Sequence, residues 1–182
     1  MNIAAEQMLL RPSLYPHHAL IYRSHQHSHR DLPLRLADLG AQFPAEASGA
    51  LGGLTQVRAM QLNDAHIFCR PDQVATEVGA VLDLIARACD VLGIGAHRYR
   101  LSLRGHSDKY VDDPAMWNLT EHALSEVLDL RGLAFDAASG EGAFYSPKID
   151  VQVLDQAGRE SPLSTRPGRF LPTRPVRPAR GW

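Results

Sequence analysis

The chain has 182 residues, of which 45% are hydrophobic and 21% charged, the composition of a soluble globular protein. No apolar run approaches the roughly 20 residues that a membrane helix needs, and the first residues lack the pattern of a secretory signal. Two cysteines, Cys69 and Cys89, are too few for a disulfide framework and indicate a reducing, cytoplasmic compartment. The net charge of −1 excludes a strongly basic nucleic-acid-binding body.

The first third of the chain predicts one helix and several strands. A helix is expected over about His18 to His25, followed by a strand over Leu34 to Leu39. Two further short strands, Val57 to Gln61 and His66 to Cys69, flank the turn-like pair Asn63-Asp64. The local pattern therefore predicts a hairpin whose turn lies at Asn63-Asp64.

Apolar periodicity predicts two longer helices in the middle of the chain. The first covers about Pro71 to Leu92, with Gly93 as its stop, and the second covers about Pro114 to Arg131, with Asp113 as its N-cap. Alternating polar and apolar residues predict strands over Arg98 to Leu103 and Ile149 to Leu154. Because no βαβαβ regularity appears, the expected fold class is α+β, with a mostly antiparallel sheet flanked by helices.

The last residues differ in composition from the rest. Residues 166–182 contain five arginines and no acidic residue, which leaves 14 basic and 20 acidic groups in the other 165 residues. Four prolines between Thr165 and Trp182 disfavour both helices and central strands. The predicted organisation is a domain over residues 1–165 and a disordered Arg/Pro-rich tail over 166–182, with a basic nucleic-acid-binding arm as the alternative reading of the tail.

Histidines are the first candidates for chemistry. His25, His27 and His29 alternate in HQHSH, and on a strand they would share one face and could hold zinc. They border a predicted loop with no cysteine nearby, so exposed histidines are the favoured reading. His66 lies in an apolar stretch beside Asp64, where a lone histidine is more often a satisfied core residue than a ligand.

The Gly-rich segment Gly140 to Asp150, GEGAFYSPKID, is the second candidate. Its glycines allow close backbone approach to a ligand, and Lys148 could present a point charge to a phosphate or carboxylate. An ordinary hairpin leading into a strand would look similar, so this reading stays open. Cys69 has no base arranged beside it in the sequence and is read as a small apolar residue.

Taken together, four segments of the chain resemble the catalytic core of threonyl-tRNA synthetase, a class II aminoacyl-tRNA synthetase. They are RDLPLRLADLG (30–40), SGALGGLTQVRAMQLNDAHIFC (48–69), DKYVDDPAMW (108–117) and GEGAFYSPKIDVQV (140–153). The resemblance runs from about Met8 to about Thr165. It implies an antiparallel sheet flanked by helices, ATP-dependent activation of threonine followed by its transfer to tRNA, and a zinc ion that binds threonine.

The resemblance also implies roles for individual residues. Arg58 and Lys148 match catalytic positions, and Glu46 matches a glutamate that contacts ATP. Asp64 and Tyr145 match residues of the threonine pocket. The remaining match is a zinc ligand, His66, which is expected to be vestigial.

Several positions depart from the family pattern. Two ATP-binding arginines fall at Pro44 and Gln56, the aromatic residue that stacks on adenine falls at Met60, and a zinc-binding cysteine falls at Tyr15. The third zinc ligand, motif 3, motif 1, and the editing and anticodon-binding domains find no match in the chain.

The expected function is therefore a partial threonine–tRNA ligase that is inactive or severely impaired alone. The alternative is a non-catalytic paralogue that binds a small molecule or a partner, such as an intact synthetase subunit.

Overall fold

The computed structural model of the protein describes residues 2–3, 6–7, 9–44, 49, 51–53 and 57–167. The chain divides into two compact units, residues 1–70 and 71–182. None of the helices in these described ranges is long and apolar enough to cross a membrane. The mixture of helices with antiparallel and mixed sheets confirms the predicted α+β class.

The described residues of the first unit form two antiparallel strand pairs, one α-helix and a short 3₁₀ helix over His29–Asp31. Its elements are β1 (Asn2–Ile3), β2 (Glu6–Gln7), α1 (Tyr15–Arg23), β3 (Leu34–Gln42) and β4 (Met60–Phe68). β1 pairs with β2, and β3 pairs with β4. The α1 helix begins three residues earlier than predicted, with Pro16 in its first turn, a position where the missing N–H of proline costs nothing.

The β4 strand corrects the hairpin predicted at Asn63-Asp64. Both residues lie inside one continuous strand, where Asn63 pairs with Leu39 and Asp64 with Asp38. The turn preference of Asn-Asp is local, whereas nine consecutive pairs with β3 satisfy the backbone donors and acceptors of both strands. The unbroken ladder therefore overrides the local preference, and β3 extends to Gln42 rather than ending at Leu39.

The second unit places two long helices against a four-stranded sheet. Its elements are α2 (Val74–Leu92), β5 (Arg98–Leu103), α3 (Pro114–Leu130), β6 (Phe135–Ser139), β7 (Lys148–Leu154) and β8 (Glu160–Pro167). The strand order is β6-β5-β7-β8, with β5 and β6 parallel and the other pairs antiparallel.

The predicted boundaries of both helices are confirmed to within three residues. Pro71–Gln73 forms a short 3₁₀ turn before α2, and Gly93 ends the helix in the left-handed conformation at a φ of 66°. The Asp113 side chain caps α3 by accepting a hydrogen bond of 3.0 Å from the Met116 N–H. These features place helix ends where the sequence predicts them.

The sheet of the second unit has one apolar and one polar face. Apolar side chains of β5 and β7, including Leu101 and Ile149, form the core together with apolar side chains of α2 and α3. The alternate residues of the same strands, among them Ser102, Lys148 and Asp150, lie on the opposite face. Alternation in β5 and β7 thus separates the core from a face that can carry chemistry.

Sequence patterns did not identify β6 or β8. β8 includes Arg166 and Pro167, which pair with Ile149 and Lys148 and which the sequence assigns to the tail. The rest of the predicted tail, residues 168–182, lies outside the described residues.

Candidate functional site

One face of the β3–β4 hairpin carries two of the predicted site residues. Asp64 and His66 are two residues apart on β4 and therefore share a face. Asp38 lies directly opposite Asp64, and Leu36 directly opposite His66. Two carboxylates facing each other across a ladder repel, so this pair concentrates negative charge on one face of the hairpin.

Arg11 partly compensates the charge on this face. Its guanidinium lies 3.7 Å from the Asp38 carboxylate and also donates a hydrogen bond of 2.8 Å to the Ala41 carbonyl. Both side chains of the Arg11–Asp38 pair are partly exposed, so solvent screens the interaction. Asp64 accepts a hydrogen bond from the N–H of Ala65.

His66 contacts two residues of α1. Its Nδ1 lies 2.7 Å from the Nδ1 of His18, a buried residue, and the two rings meet edge to face. The ring of Tyr15 lies 5.2 Å from the His66 ring, measured between centroids. The two positions that the family resemblance identifies as zinc ligands, Tyr15 and His66, are therefore neighbours.

The residues present do not fit a zinc site. Zinc in proteins takes three or four ligands from Cys, His, Asp and Glu, and no group of three such residues is placed to hold a metal within the described part of the chain. Tyr15 stands where the family has a cysteine. The HQHSH histidines do not form a cluster either: His25 contacts the Ser24 hydroxyl and His27 stacks on Tyr22.

The positions that the family resemblance assigns to ATP binding fall in and around the segment that joins β3 to β4. Pro44 follows β3 by two residues, Arg58 is exposed and precedes β4 by two residues, and Met60 is the first residue of β4. Glu46 and Gln56 lie outside the described residues. The structure therefore brings Pro44, Arg58 and Met60 to the same end of the hairpin, since Met60 pairs with Gln42.

Tyr145 and Lys148 belong to the second unit, where Tyr145 lies in a turn three residues before β7 and Lys148 is the first residue of β7. The Nζ of Lys148 lies 2.7 Å from Oδ2 of Asp150, and the hydroxyl of Ser102 donates a hydrogen bond of 2.8 Å to the same oxygen. Asp150 is 2% exposed and Ser102 is fully buried. The hydroxyl of Ser146 is also buried and, among the described residues, has no hydrogen-bond partner.

Two loops position the Gly-rich segment that leads to Lys148. A Cβ on Gly105 would lie 2.8 Å from the Cα of Gly140, so the two backbones touch. The Gly140 carbonyl accepts a hydrogen bond of 2.5 Å from the Tyr110 hydroxyl. The Gly142 N–H donates a hydrogen bond of 2.9 Å to the Leu103 carbonyl. These contacts explain why glycine occurs at these positions without requiring a ligand there.

An ion-pair network occupies the other end of the polar sheet face. Glu160 of β8 contacts the guanidinium groups of Arg98 and Arg100 on β5, and His97. The hydrogen bond from Arg98 holds the pKa of Glu160 below its usual value, and the same bond raises the pKa of Arg98. This network joins β8 to β5 across the intervening β7.

Sequence reasoning missed two residues of these clusters, Ser102 and Asp150. Asp150 contacts the predicted site residue Lys148, and Ser102 contacts Asp150. His18 contacts the predicted site residue His66. The alternation of Lys148 and Asp150 on one strand was a usable signal for Asp150. His18 and Ser102 come from distant segments, and only the pairing of the elements places them.

The comparisons with known proteins agree with the resemblance found in the sequence. Residues 2–172 match the family model described as tRNA synthetase class II core domain (G, H, P, S and T). A threonine–tRNA ligase of Staphylococcus carnosus is 48% identical over 168 residues, covering 91% of this chain and 26% of the relative. The threonine–tRNA ligase of a Geobacillus species is 47% identical, covering 94% and 27%.

A solved structure is similar as well. The RNA-binding domain of threonyl-tRNA synthetase from Cryptosporidium parvum gives a TM-score of 0.76 at 36% identity, over 91% of this chain and 40% of the solved chain. The chain spans about a quarter of the length of the curated relatives it matches.

Proposed function

The chain belongs to the tRNA synthetase class II core family, and we propose that it is a threonine–tRNA-ligase-type module whose activation of threonine by ATP is absent or severely impaired in this chain alone. The activity of the longer relatives is ATP-dependent ligation of threonine to tRNA. For this chain, threonine and tRNA are the proposed partners, the cytoplasm is the proposed compartment, and ATP is the nucleotide that the family uses.

The observation that carries the proposal is Pro44. By family resemblance this position holds an arginine that contacts the ATP phosphates, and a proline at the end of β3 supplies neither charge nor side-chain donor. Removing one preorganised donor at a developing anion costs about 3–4 kcal/mol, or roughly 10²–10³ in rate. Gln56 replaces a second arginine of the family pattern, so the expected loss is larger, although such effects do not add strictly.

Zinc takes no part in the proposed function of this chain. Tyr15 replaces the family's cysteine, and the described residues offer His66 without two further ligands of the required types.

A second candidate function is supported by the retained acidic face. Asp38 and Asp64 face each other on the β3–β4 hairpin, and Asp64 matches the threonine-contacting aspartate of the family. A non-catalytic paralogue that binds an amino acid, or that associates with an intact synthetase subunit, would retain this face while losing the arginines.

ATP–pyrophosphate exchange with threonine tests the main proposal. The full chain is purified free of host synthetase and assayed with and without added zinc, beside an intact threonine–tRNA ligase. We expect exchange at least about 10³-fold below the intact enzyme. Exchange near the intact rate would contradict the proposal. A higher exchange rate in the double variant Pro44→Arg with Gln56→Arg would show that these two positions cause the loss of activity.

Calorimetry with threonine separates the second candidate from an inert module. A binding paralogue gives heat that Asp64→Asn abolishes, whereas Asp90→Asn, an exposed position on α2, leaves it unchanged. Absence of heat with the parent chain would count against retained binding of threonine.

A further inference from the structure

The Lys148 ammonium is held by a carboxylate that lies almost entirely inside the protein. The Asp150 side chain is 3% exposed, whereas that of Lys148 is 22% exposed, and the two are joined at 2.7 Å. Both residues project from the same face of β7, because they are two positions apart. A buried carboxylate with so short a contact restricts the lysine far more than a surface pair does.

Ser102 fixes the carboxylate in turn. Its hydroxyl, fully buried on β5, donates to the same Oδ2 atom that contacts the ammonium. Ser102 lies directly opposite Lys148 in the β5–β7 ladder, so all three side chains lie on the polar face of the sheet. The hydroxyl leaves the carboxylate little freedom to turn, and the ammonium follows its position.

We propose that Asp150, oriented by Ser102, is a positioning residue that holds the Lys148 ammonium at the start of β7 for an anionic group of the ligand. This inference rests on the proposed function in one respect, because it assumes that Lys148 faces the phosphate or carboxylate of an activated amino acid. A lysine already held in place loses less conformational entropy on binding than a free one. The Ser146 hydroxyl, buried two residues away, is a further donor on the same segment.

The composition of the chain makes this arrangement directly measurable. Lys109 and Lys148 are the two lysines of the sequence. Lys109 is exposed; its Nζ lies 3.3 Å from the Gly140 carbonyl and 4.7 Å from the centre of the Tyr110 ring. Lys109 therefore serves as an internal reference in the same unit.

The experiment is trace acetylation of the native full chain, with the acetylation rates of the two lysines measured by mass spectrometry of peptides. No threonine or ATP is added, so the result does not depend on whether the proposed function is correct. In the parent chain we expect Lys148 to react about tenfold more slowly than Lys109. Asp150→Asn is expected to raise the Lys148 rate about tenfold, with the Lys109 rate unchanged, and Ser102→Ala to raise it by a smaller factor.

Asp155→Asn is the matched control, because Asp155 is a β7–β8 loop residue whose side chain bonds to Arg159 and the loop backbone. It is expected to change neither rate. An unchanged ratio of the two rates in Asp150→Asn would overturn the proposal, as would an equal rise for both lysines. If the Asp150→Asn variant does not fold, the Ser102→Ala variant provides the test. An unchanged ratio of the Lys148 and Lys109 acetylation rates in that variant would overturn the proposal.

Discussion

Replacing Gly105 by alanine should disturb the contact between the two loops that lead to Lys148. The added Cβ would lie 2.8 Å from the Gly140 Cα and 3.3 Å from the Tyr110 ring, whereas carbon atoms pack best at about 3.5–4.0 Å. To relieve this overlap, one of the two backbones must move by about 1 Å. Gly140 cannot easily yield, because it already has a φ of 86° and its carbonyl is bonded to Tyr110. Overpacking of this kind costs about 1–3 kcal/mol.

Urea denaturation of the full chain, monitored by circular dichroism, measures this loss of stability. We expect the variant to unfold at a lower midpoint urea concentration with an unchanged m-value. Gly95→Ala is the matched control, because a Cβ at Gly95 meets nothing within 4 Å and its φ lies outside the left-handed region. The free energy of unfolding of this control variant is expected to be unchanged or to rise by up to about 1 kcal/mol. Equal midpoints for the two variants would show that the loops are not in tight contact.

Two further predictions concern charged groups of the second unit. Glu160→Gln should lower the Tm at neutral pH, and the difference in Tm should shrink as the pH falls below 4.5, the ordinary value from which the pKa of Glu160 is lowered. A carboxylate with a lowered pKa stabilises the fold above its unfolded pKa and loses that effect as it is protonated. A difference in Tm that stays constant down to about pH 3 would contradict the assignment. Lys148→Met should destabilise the chain by about 3 kcal/mol, the lower end of the range for breaking a buried pair, because Lys148 is partly exposed. Lys148→Met with Asp150→Leu should recover most of that loss in urea denaturation, and a double variant no more stable than the single one would refute the pairing.

The helices and the core strands of the second unit could be predicted because their signals are local. The apolar period of α2, the cap at Asp113 and the alternation of β5 are each complete within one segment. β4 was misread because Asn63 and Asp64 favour a turn locally. Only their partners on β3, Leu39 and Asp38, keep them extended, and these lie 24 and 26 residues earlier in the chain. Pairing between distant strands is not visible in a local pattern.

The same distinction between local signals and distant contacts applies to the candidate site. Asp64, His66, Tyr145 and Lys148 could be named because they stand in recognisable motifs. Their contacts could not, since His18 reaches His66 from a helix 48 residues away and Ser102 reaches Asp150 across the same separation. Ser102 carries no residue type that marks it as functional by itself, and the sequence does not show which residue His18 contacts. The departure from the family's zinc-binding cysteine at Tyr15, in contrast, is an expectation that the sequence resemblance provides by itself.

The contact between His18 and His66 constrains where hydrogen atoms reside. At 2.7 Å, two Nδ1 atoms share a single proton when both rings are neutral, so one imidazole is the Nδ1–H tautomer and the other carries its hydrogen on Nε2. The two outer nitrogens must then differ: one offers a lone pair and the other an N–H. A change of tautomer at one ring therefore requires the opposite change at the other, so the hydrogen-bonding groups that α1 and β4 present are linked.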